Sequence, residues 1–183
     1  MRRLIVTENI TLDGVIDASE GWFAPSGDGG DEFDLEAAIG EQSAAADAFL
    51  VGRVTFEEMR EYWPRQEDDT TGVSDYLNRV DKYVVSATIE DPEWENTTVI
   101  GLDPLARIEE LKQADGGDIV TTGSIRLVRA LVEAGLADEF RLFTYPLALG
   151  RGARLFEGAA LPRMRLAEAR EFRNGVVLTR YET

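Results

Sequence analysis

Two short segments of the chain share an apolar run, a glycine and a nearby hydroxyl residue. In the first, Gly52 follows the apolar residues 48–51 and Thr55 comes shortly after; in the second, Gly123 is followed directly by Ser124. In both, the hydroxyl residue stands where a helix is expected to begin. A helix start presents backbone N–H groups without partners and a partial positive charge, which together favour phosphate. Two such turns predict a ligand with several phosphates, such as a nicotinamide dinucleotide.

Three residues of the first turn could contribute to a phosphate-binding site. Gly52 would let a phosphate approach the backbone, Arg53 would supply charge, and Thr55 would donate a hydrogen bond. Thr55 and Glu58 also match a capping box at the start of a helix predicted over about 55–62. An ordinary strand-to-helix turn with a good cap explains the same residues without any ligand, and both interpretations stay open.

The order of the elements decides whether the two turns meet. Strand-like and helix-like segments alternate through most of the chain, which predicts a parallel sheet in a single α/β domain over 1–183. Near the end, alternating residues around 140–144 and the hairpin signal Asn174-Gly175 predict antiparallel strands. If the strands before the turns are neighbours, both turns lie at the same carboxyl edge of the sheet.

The composition narrows the possible partners. Asp and Glu number 35 against 19 Lys and Arg, a formal net charge of -16, which disfavours broad nucleic-acid or anionic-membrane surfaces. An anionic cofactor must therefore be held by a few local donors. The chain has no cysteine and no histidine. This excludes thiolate catalysis, a Ser-His-Asp triad and cysteine-ligated zinc, and we expect no metal site.

Targeting signals are not evident in the sequence. The first residues run into a strand-like segment without a signal-peptide core, and no apolar run approaches the roughly 20 residues that span a bilayer. We therefore expect a cytoplasmic protein.

Several motifs resemble those of known reductases. Residues 52–57 resemble the Gly-Arg-x-Thr-aromatic-Glu segment of dihydrofolate reductase, and residues 122–124 stand where that family has its second glycine-rich turn. Residues 145–156 and 11–14 look more like the reductase domain of the riboflavin-biosynthesis deaminase-reductase and its stand-alone relatives. The resemblance extends from about residue 3 to 181. It implies a dihydrofolate reductase-like three-layer sandwich with a mostly parallel central sheet and a C-terminal antiparallel hairpin.

The same resemblance implies NADPH as the cofactor. Arg53 is the best candidate for selecting the 2′-phosphate, and Ser86 would lie near the adenosine side. The residues expected around the phosphates and the pyrophosphate are Gly52, Arg53, Thr55, Gly123, Ser124 and Ile125. Family analogy also implies a homodimer, and the apolar segment 142–149 is a candidate for its contact.

The substrate side has two competing acids. Glu36, on a helix predicted over about 33–46, resembles the carboxylate with which dihydrofolate reductase grips its pterin, whereas Asp13 matches the riboflavin branch. Either acid is a candidate proton donor, although Glu36 also fits an ordinary solvated acid and Asp13 an Asp-Gly turn. Trp22 and Phe23, in a long loop over 17–32, are candidates for substrate binding over the nicotinamide or for simple core packing.

Two departures limit the resemblance. The ligands of the zinc deaminase domain are absent, and no arginine stands out that would grip a folate glutamate tail. The leading hypothesis is an NADPH-dependent reductase of a small heterocycle, such as a pterin, a flavin precursor or an aminopyrimidine. A non-catalytic sensor of a nucleotide or metabolite is the alternative, and a structural dimer module is a third option.

Overall fold

A computed structural model of the protein describes residues 1–19, 21–23, 33–66, 69, 71–158 and 163–183. The strands are β1 Leu4–Thr11, β2 Ala46–Gly52, β3 Asp81–Val85, β4 Thr97–Ile100, β5 Asp118–Thr121, β6 Glu139–Tyr145, β7 Arg165–Glu171 and β8 Val177–Glu182. The helices are α1 Phe33–Ala45, α2 Arg53–Tyr62, α3 Val73–Arg79, α4 Pro104–Gln113 and α5 Ile125–Glu133, with a short 3-10 helix at Trp63–Arg65.

The strands form one eight-stranded sheet in the order β4-β3-β2-β5-β1-β6-β8-β7. Neighbours from β4 to β6 pair in parallel, whereas β6, β8 and β7 pair antiparallel. The predicted fold class, a mostly parallel sheet with a C-terminal antiparallel hairpin, is confirmed. All parallel strands therefore end at one edge of the sheet, which we call the carboxyl edge.

Both faces of the sheet are covered by helices, which gives three layers. Leu50 of β2 joins an apolar cluster that includes Leu131 of α5 and Ile108 of α4. Its neighbours Phe49 and Val51 face the opposite side, where they pack with residues of α2 and α3. A third cluster on α1, β6 and β8 completes the core. A strand buried on both faces reads as a continuous apolar run, as residues 48–51 do.

Local signals placed several element ends correctly. Gly135, at φ +67°, ends α5; its N–H donates to the Val132 carbonyl, and the Leu136 N–H donates to that of Leu131. The hairpin turns at Asn174-Gly175, where the Val176 N–H donates to the Asn174 side chain at 3.1 Å.

One local prediction is wrong, and one helix has no prediction. The start of α2 is not the expected capping box: α2 begins at Arg53, its cap is Gly52, and no side chain caps it. Helix α3 was not predicted, because its seven residues are too short to show a helical period. Within the described residues, no helix combines the length and apolar character needed to cross a membrane.

Candidate functional site

The residues singled out from the sequence lie along the carboxyl edge. Gly52 ends β2, Ser86 follows β3 directly, and Gly123 comes two residues after the end of β5. The ends of β1 and β6 continue the same edge, with Thr11 paired to Tyr145. The predicted cofactor residues thus stand together on β3, β2 and β5, and the aromatic residues stand beyond them.

The two glycine turns contact each other directly. The Gly52 N–H donates to Ser124 Oγ at 2.9 Å, and the Ser124 N–H donates to Thr55 Oγ1 at 3.0 Å. We call Gly52, Thr55 and Ser124 the two-turn clasp. Each hydroxyl accepts a hydrogen bond from the other turn and keeps its own proton to donate. The clasp thus confirms that both turns meet, although the Gly52 and Ser124 N–H groups already have partners.

Other donors remain at the clasp. The first-turn N–H groups of α2 and α5 have no intrahelical partner, and both helices begin at this edge. Together with the two hydroxyl protons, they form a compact set of donors suited to an anion. Ile125 supplies the first of these N–H groups in α5.

The second turn depends on glycine. Gly123 has φ +59° and Ser124 has φ +45°, so both are left-handed. A Cβ at Gly123 would lie 3.1 Å from Thr55 Cγ2, closer than ordinary packing allows. Gly52 differs, because its φ of -81° suits any residue and a Cβ there would meet Ser124 at ordinary contact distance. Close approach of the turns therefore demands glycine at 123 and not at 52.

Two arginines stand at the helix starts. Arg53 forms an exposed ion pair with Glu57 at 2.8 Å, one helical turn later. Arg126, in the first turn of α5, is exposed and forms no ion pair with any residue that the structure describes. Arg126 is not among the residues selected from the sequence, although its position two residues after Ser124 was the available signal.

Ser86 forms hydrogen bonds within the turn that follows β3. Its Oγ accepts hydrogen bonds from the Thr88 and Ile89 N–H groups, both at 3.1 Å, and the residue is buried. It therefore shapes the turn after β3, beside the end of β2. Its predicted place near the adenosine side stays a prediction.

Asp13 ties the end of β1 to the loop over 147–154. Its carboxylate accepts hydrogen bonds from the Thr11 hydroxyl at 2.6 Å, the Gly150 N–H at 2.8 Å and the Leu149 N–H at 3.2 Å. These bonds, the Thr11 hydroxyl first, lower the pKa of Asp13 to about 2. Since Asp13 is then ionised at neutral pH, the geometry favours a structural role over the predicted role of proton donor.

Glu36 lies partly buried on α1. Its helix packs Leu35 and Ala38 against Phe143 of β6, on the side of the sheet opposite α5. Among the described residues, Glu36 has no hydrogen-bond or ion-pair partner. Its role toward a substrate stays a prediction.

Trp22 and Phe23 belong to an aromatic cluster at the end of β6. The Trp22 ring meets Phe23 at 5.5 Å and Tyr145 at 5.4 Å between centroids, both edge to face. The Trp22 Nε1–H donates to the Asp17 carbonyl at 2.7 Å. Most of the loop predicted over 17–32 lies outside the described residues, at 20 and 24–32. Through Tyr145, which pairs with Thr11, the cluster lies near the end of β1.

Glu8, a buried carboxyl next to the second turn, is not among the residues selected from the sequence. It lies in β1 with 3% of its surface exposed, and its Oε2 accepts a hydrogen bond from the Gly123 N–H at 3.0 Å. Burial raises the pKa of Glu8 well above its usual range, although the Gly123 N–H opposes this. The available signal was an acid within a strand that is otherwise mostly apolar.

The topology and the glycine turns place the protein in the dihydrofolate reductase-like class of α/β folds. The structure of dihydrofolate reductase from Enterococcus faecalis, complexed with NADP(H) and RAB-propyl, aligns with a TM-score of 0.64 at 14% identity, covering 98% of this chain and 95% of that one. A protein of known structure from Shewanella sp. PV-4, named as a candidate riboflavin biosynthesis protein, aligns with a TM-score of 0.71 at 19% identity, covering 98% of each chain.

Sequence comparison gives the family. Residues 2–178 match the RibD C-terminal domain, and the chain belongs to that family. It is 31% identical over 183 residues to the uncharacterized protein YyaP of Bacillus subtilis (strain 168), covering 96% of this chain and 92% of YyaP. Family and fold together support a reductase type of function.

Proposed function

We propose that the protein is an NADPH-dependent reductase that transfers hydride to a small heterocycle. The observation that carries this proposal is the two-turn clasp, which joins two hydroxyl donors and two helix starts at one edge of the sheet. Such a set of donors fits a ligand with more than one phosphate. Membership of a family with reductase relatives supports the same conclusion.

The phosphates would lie between the starts of α2 and α5. The hydroxyl protons of Thr55 and Ser124 would donate to phosphate oxygens, together with first-turn N–H groups such as that of Ile125. Because the protein carries a net charge of -16, the attraction must come from these local donors. The N–H groups of Gly52, Gly123 and Ser124 contribute indirectly, since they hold the turns together.

Two arginines would supply positive charge. The exposed pair between Arg53 and Glu57 contributes only about 0.3–0.5 kcal/mol, so Arg53 can turn to a phosphate at little cost. Arg126 has no pair to break with the described residues. Arg53 stays the candidate for the 2′-phosphate, and Arg126 is added as a second phosphate contact.

The hydride acceptor would lie toward the aromatic cluster. β2 and β6 are three strand spacings apart, about 14 Å, so an elongated cofactor would reach from the clasp toward Tyr145. Trp22 and Tyr145 offer aromatic surface for a flat ring such as a pterin, a flavin precursor or an aminopyrimidine. When bound, NADPH supplies the hydride, and the residues of this chain bind and orient the two reactants.

The proposal keeps two candidates for the proton source. The Asp13 carboxylate already accepts three hydrogen bonds within the chain, and these lower its pKa to about 2, so the candidates are Glu36 and an ordered water. Replacing Glu36 by Gln tests the first choice. If Glu36 is the donor, the maximal rate falls while the affinity for NADPH stays constant; an unchanged rate assigns the proton to water.

The central test is a titration with NADPH, followed by fluorescence or calorimetry. We expect saturable binding that weakens at least tenfold in Arg53→Ala, because a charge-assisted contact contributes about 1.5–3 kcal/mol. Arg107→Ala is the matched control, since Arg107 forms a similar exposed ion pair with Glu110 on α4, a helix that contributes no residue to the clasp. Absence of saturable binding by the unaltered protein would refute the proposal.

Turnover separates a reductase from a sensor. NADPH oxidation is measured over a panel of pterins, flavin precursors and aminopyrimidines, and a reductase oxidises NADPH with at least one of them. Binding without turnover on any of these substrates favours the sensor. Unchanged ligand affinity in Arg53→Ala favours the structural module.

We also propose a homodimer, by analogy with the family. Within segment 142–149, Leu142 and Phe143 are buried within the chain, so the expected contact would use the remaining residues of that segment. Sedimentation at micromolar concentration tests the assembly, and a stable monomer contradicts it.

A further inference from the structure

Glu8 lies where a strand of the core would ordinarily carry an apolar side chain. Glu8 lies on the same face of β1 as Leu4, Val6 and Ile10, which all belong to the apolar cluster that contains residues of α5. Only 3% of the surface of Glu8 is exposed. Burying a carboxyl without full hydrogen bonding is unfavourable. Its position therefore requires a compensating role.

The register of the sheet explains why the Glu8 carboxyl contacts Gly123. β1 pairs with β5 as far as Val6 and Thr121, so Glu8 lies level with Gly123, where the chain leaves the sheet. There its Oε2 accepts the hydrogen bond from the Gly123 N–H, while Oε1 is buried without a partner. On the other side, β6 places the uncharged Leu142 opposite Glu8.

We propose that Glu8 is a positioning residue that holds the left-handed Gly123–Ser124 turn against β1, and thereby keeps the two-turn clasp ready to bind phosphate. The inference rests on the proposed function. Gly123 has no side chain to fix its conformation, so the hydrogen bond from its N–H restrains the turn at that point. The next N–H, from Ser124, then meets Thr55 Oγ1 and joins the second turn to the first.

The state of the carboxyl suits this task. Burial raises the pKa of Glu8, which shifts its carboxyl toward the neutral acid and away from the charged form that would repel bound phosphates. A glutamine is the closest match to that neutral acid, since its carbonyl can accept from the Gly123 N–H. A methionine matches the length of the side chain and lacks a comparable acceptor.

The test compares Glu8→Gln with Glu8→Met, using NADPH titration and urea unfolding. We expect Glu8→Gln to bind NADPH within about threefold of the unaltered protein, and a folded Glu8→Met to bind at least tenfold more weakly. Thr7→Val is the control, because Thr7 is also buried in β1 and, as the neighbour of Glu8 in a strand, points to the opposite face. We expect Thr7→Val to bind NADPH with the affinity of the unaltered protein. Equal affinities in Glu8→Gln and Glu8→Met overturn the inference.

Hydrogen exchange of the Gly123 amide provides a readout that does not depend on NADPH. We expect this amide to be protected in the ligand-free protein and in Glu8→Gln, and to exchange at least tenfold faster in Glu8→Met. If the unaltered protein fails to bind NADPH while this pattern holds, the proposed function fails and the tether to Gly123 stands. If Glu8→Met does not fold, Glu8→Gln decides: loss of Gly123 protection or of NADPH affinity in a folded Glu8→Gln overturns the inference.

Discussion

Replacing Gly123 by alanine is the sharpest test of the geometry at the clasp. An alanine at φ +59° adopts a left-handed conformation that costs about 1–2 kcal/mol. Its Cβ would also lie 3.1 Å from Thr55 Cγ2, so Thr55 or the turn must shift by a few tenths of an ångström. Loss of chain entropy in the unfolded state offsets about 0.4–1 kcal/mol. We expect a net loss of about 2 kcal/mol in the free energy of unfolding.

Two other glycines separate the causes of that loss. Gly135 has a similar φ of +67° with nothing within 4 Å of its added Cβ, so Gly135→Ala isolates the backbone strain, about 1 kcal/mol. Gly52 has φ -81° and room for a Cβ, so Gly52→Ala changes stability by at most about 0.5 kcal/mol. The ranking of the three variants, and not only their size, follows from the structure.

Urea unfolding at pH 7, followed by tryptophan fluorescence, measures all three variants. The slope of the free energy with urea should stay the same, so that the midpoint reports stability alone. A Gly123→Ala protein no less stable than Gly135→Ala would show that the contact with Thr55 is not tight. Equal losses in Gly52→Ala and Gly123→Ala would refute the argument from backbone conformation.

Three further outcomes follow from the contacts of single side chains. Thr55→Val leaves the Ser124 N–H without its partner and lowers the free energy of unfolding by about 1–3 kcal/mol in urea, whereas Thr55→Ser stays close to the unaltered protein; equal stability of the two variants contradicts the bond. Glu139→Gln removes a fully buried carboxylate shared by three arginines and costs about 3–5 kcal/mol in urea at pH 7, and a loss below about 1 kcal/mol would contradict this. The pKa of Asp13 falls from 3.8 to about 2 on folding, so its carboxylate contributes stability above pH 3.8 that is lost as the pH falls through about 2. Unfolding of Asp13→Asn between pH 5 and pH 2 should show a smaller loss than the unaltered protein, and identical pH profiles would rule out this contribution.

Features that depend on neighbouring residues were predicted well. The alternation of strands and helices, the end of α5 at Gly135 and the hairpin at Asn174-Gly175 follow from local backbone preferences and hydrophobic period. The meeting of the two glycine turns was also predictable, since parallel neighbouring strands end at one edge. The family motifs added the fold class, which the structure confirms.

Features that depend on distant partners were not predicted correctly. Thr55 looks like a helix cap, yet its hydroxyl accepts from Ser124, 69 residues away. Asp13 looks like a catalytic acid or a simple turn residue, yet its carboxylate accepts from Gly150, 137 residues away. In each case the residue type was noticed and the bonding partner was not, because nothing in the local sequence specifies it.

The sequence by itself determined most of the elements, the shared edge of the sheet and the kind of residues found there. Only the tertiary structure decided which atoms of those residues are already used and which are left for a ligand. The Gly52 and Ser124 N–H groups donate hydrogen bonds within the clasp, and the Gly123 N–H donates to Glu8. The physical reason is that hydrogen bonding at the turns depends on how closely β1, β2 and β5 approach one another, and that distance is set by packing of the whole sheet.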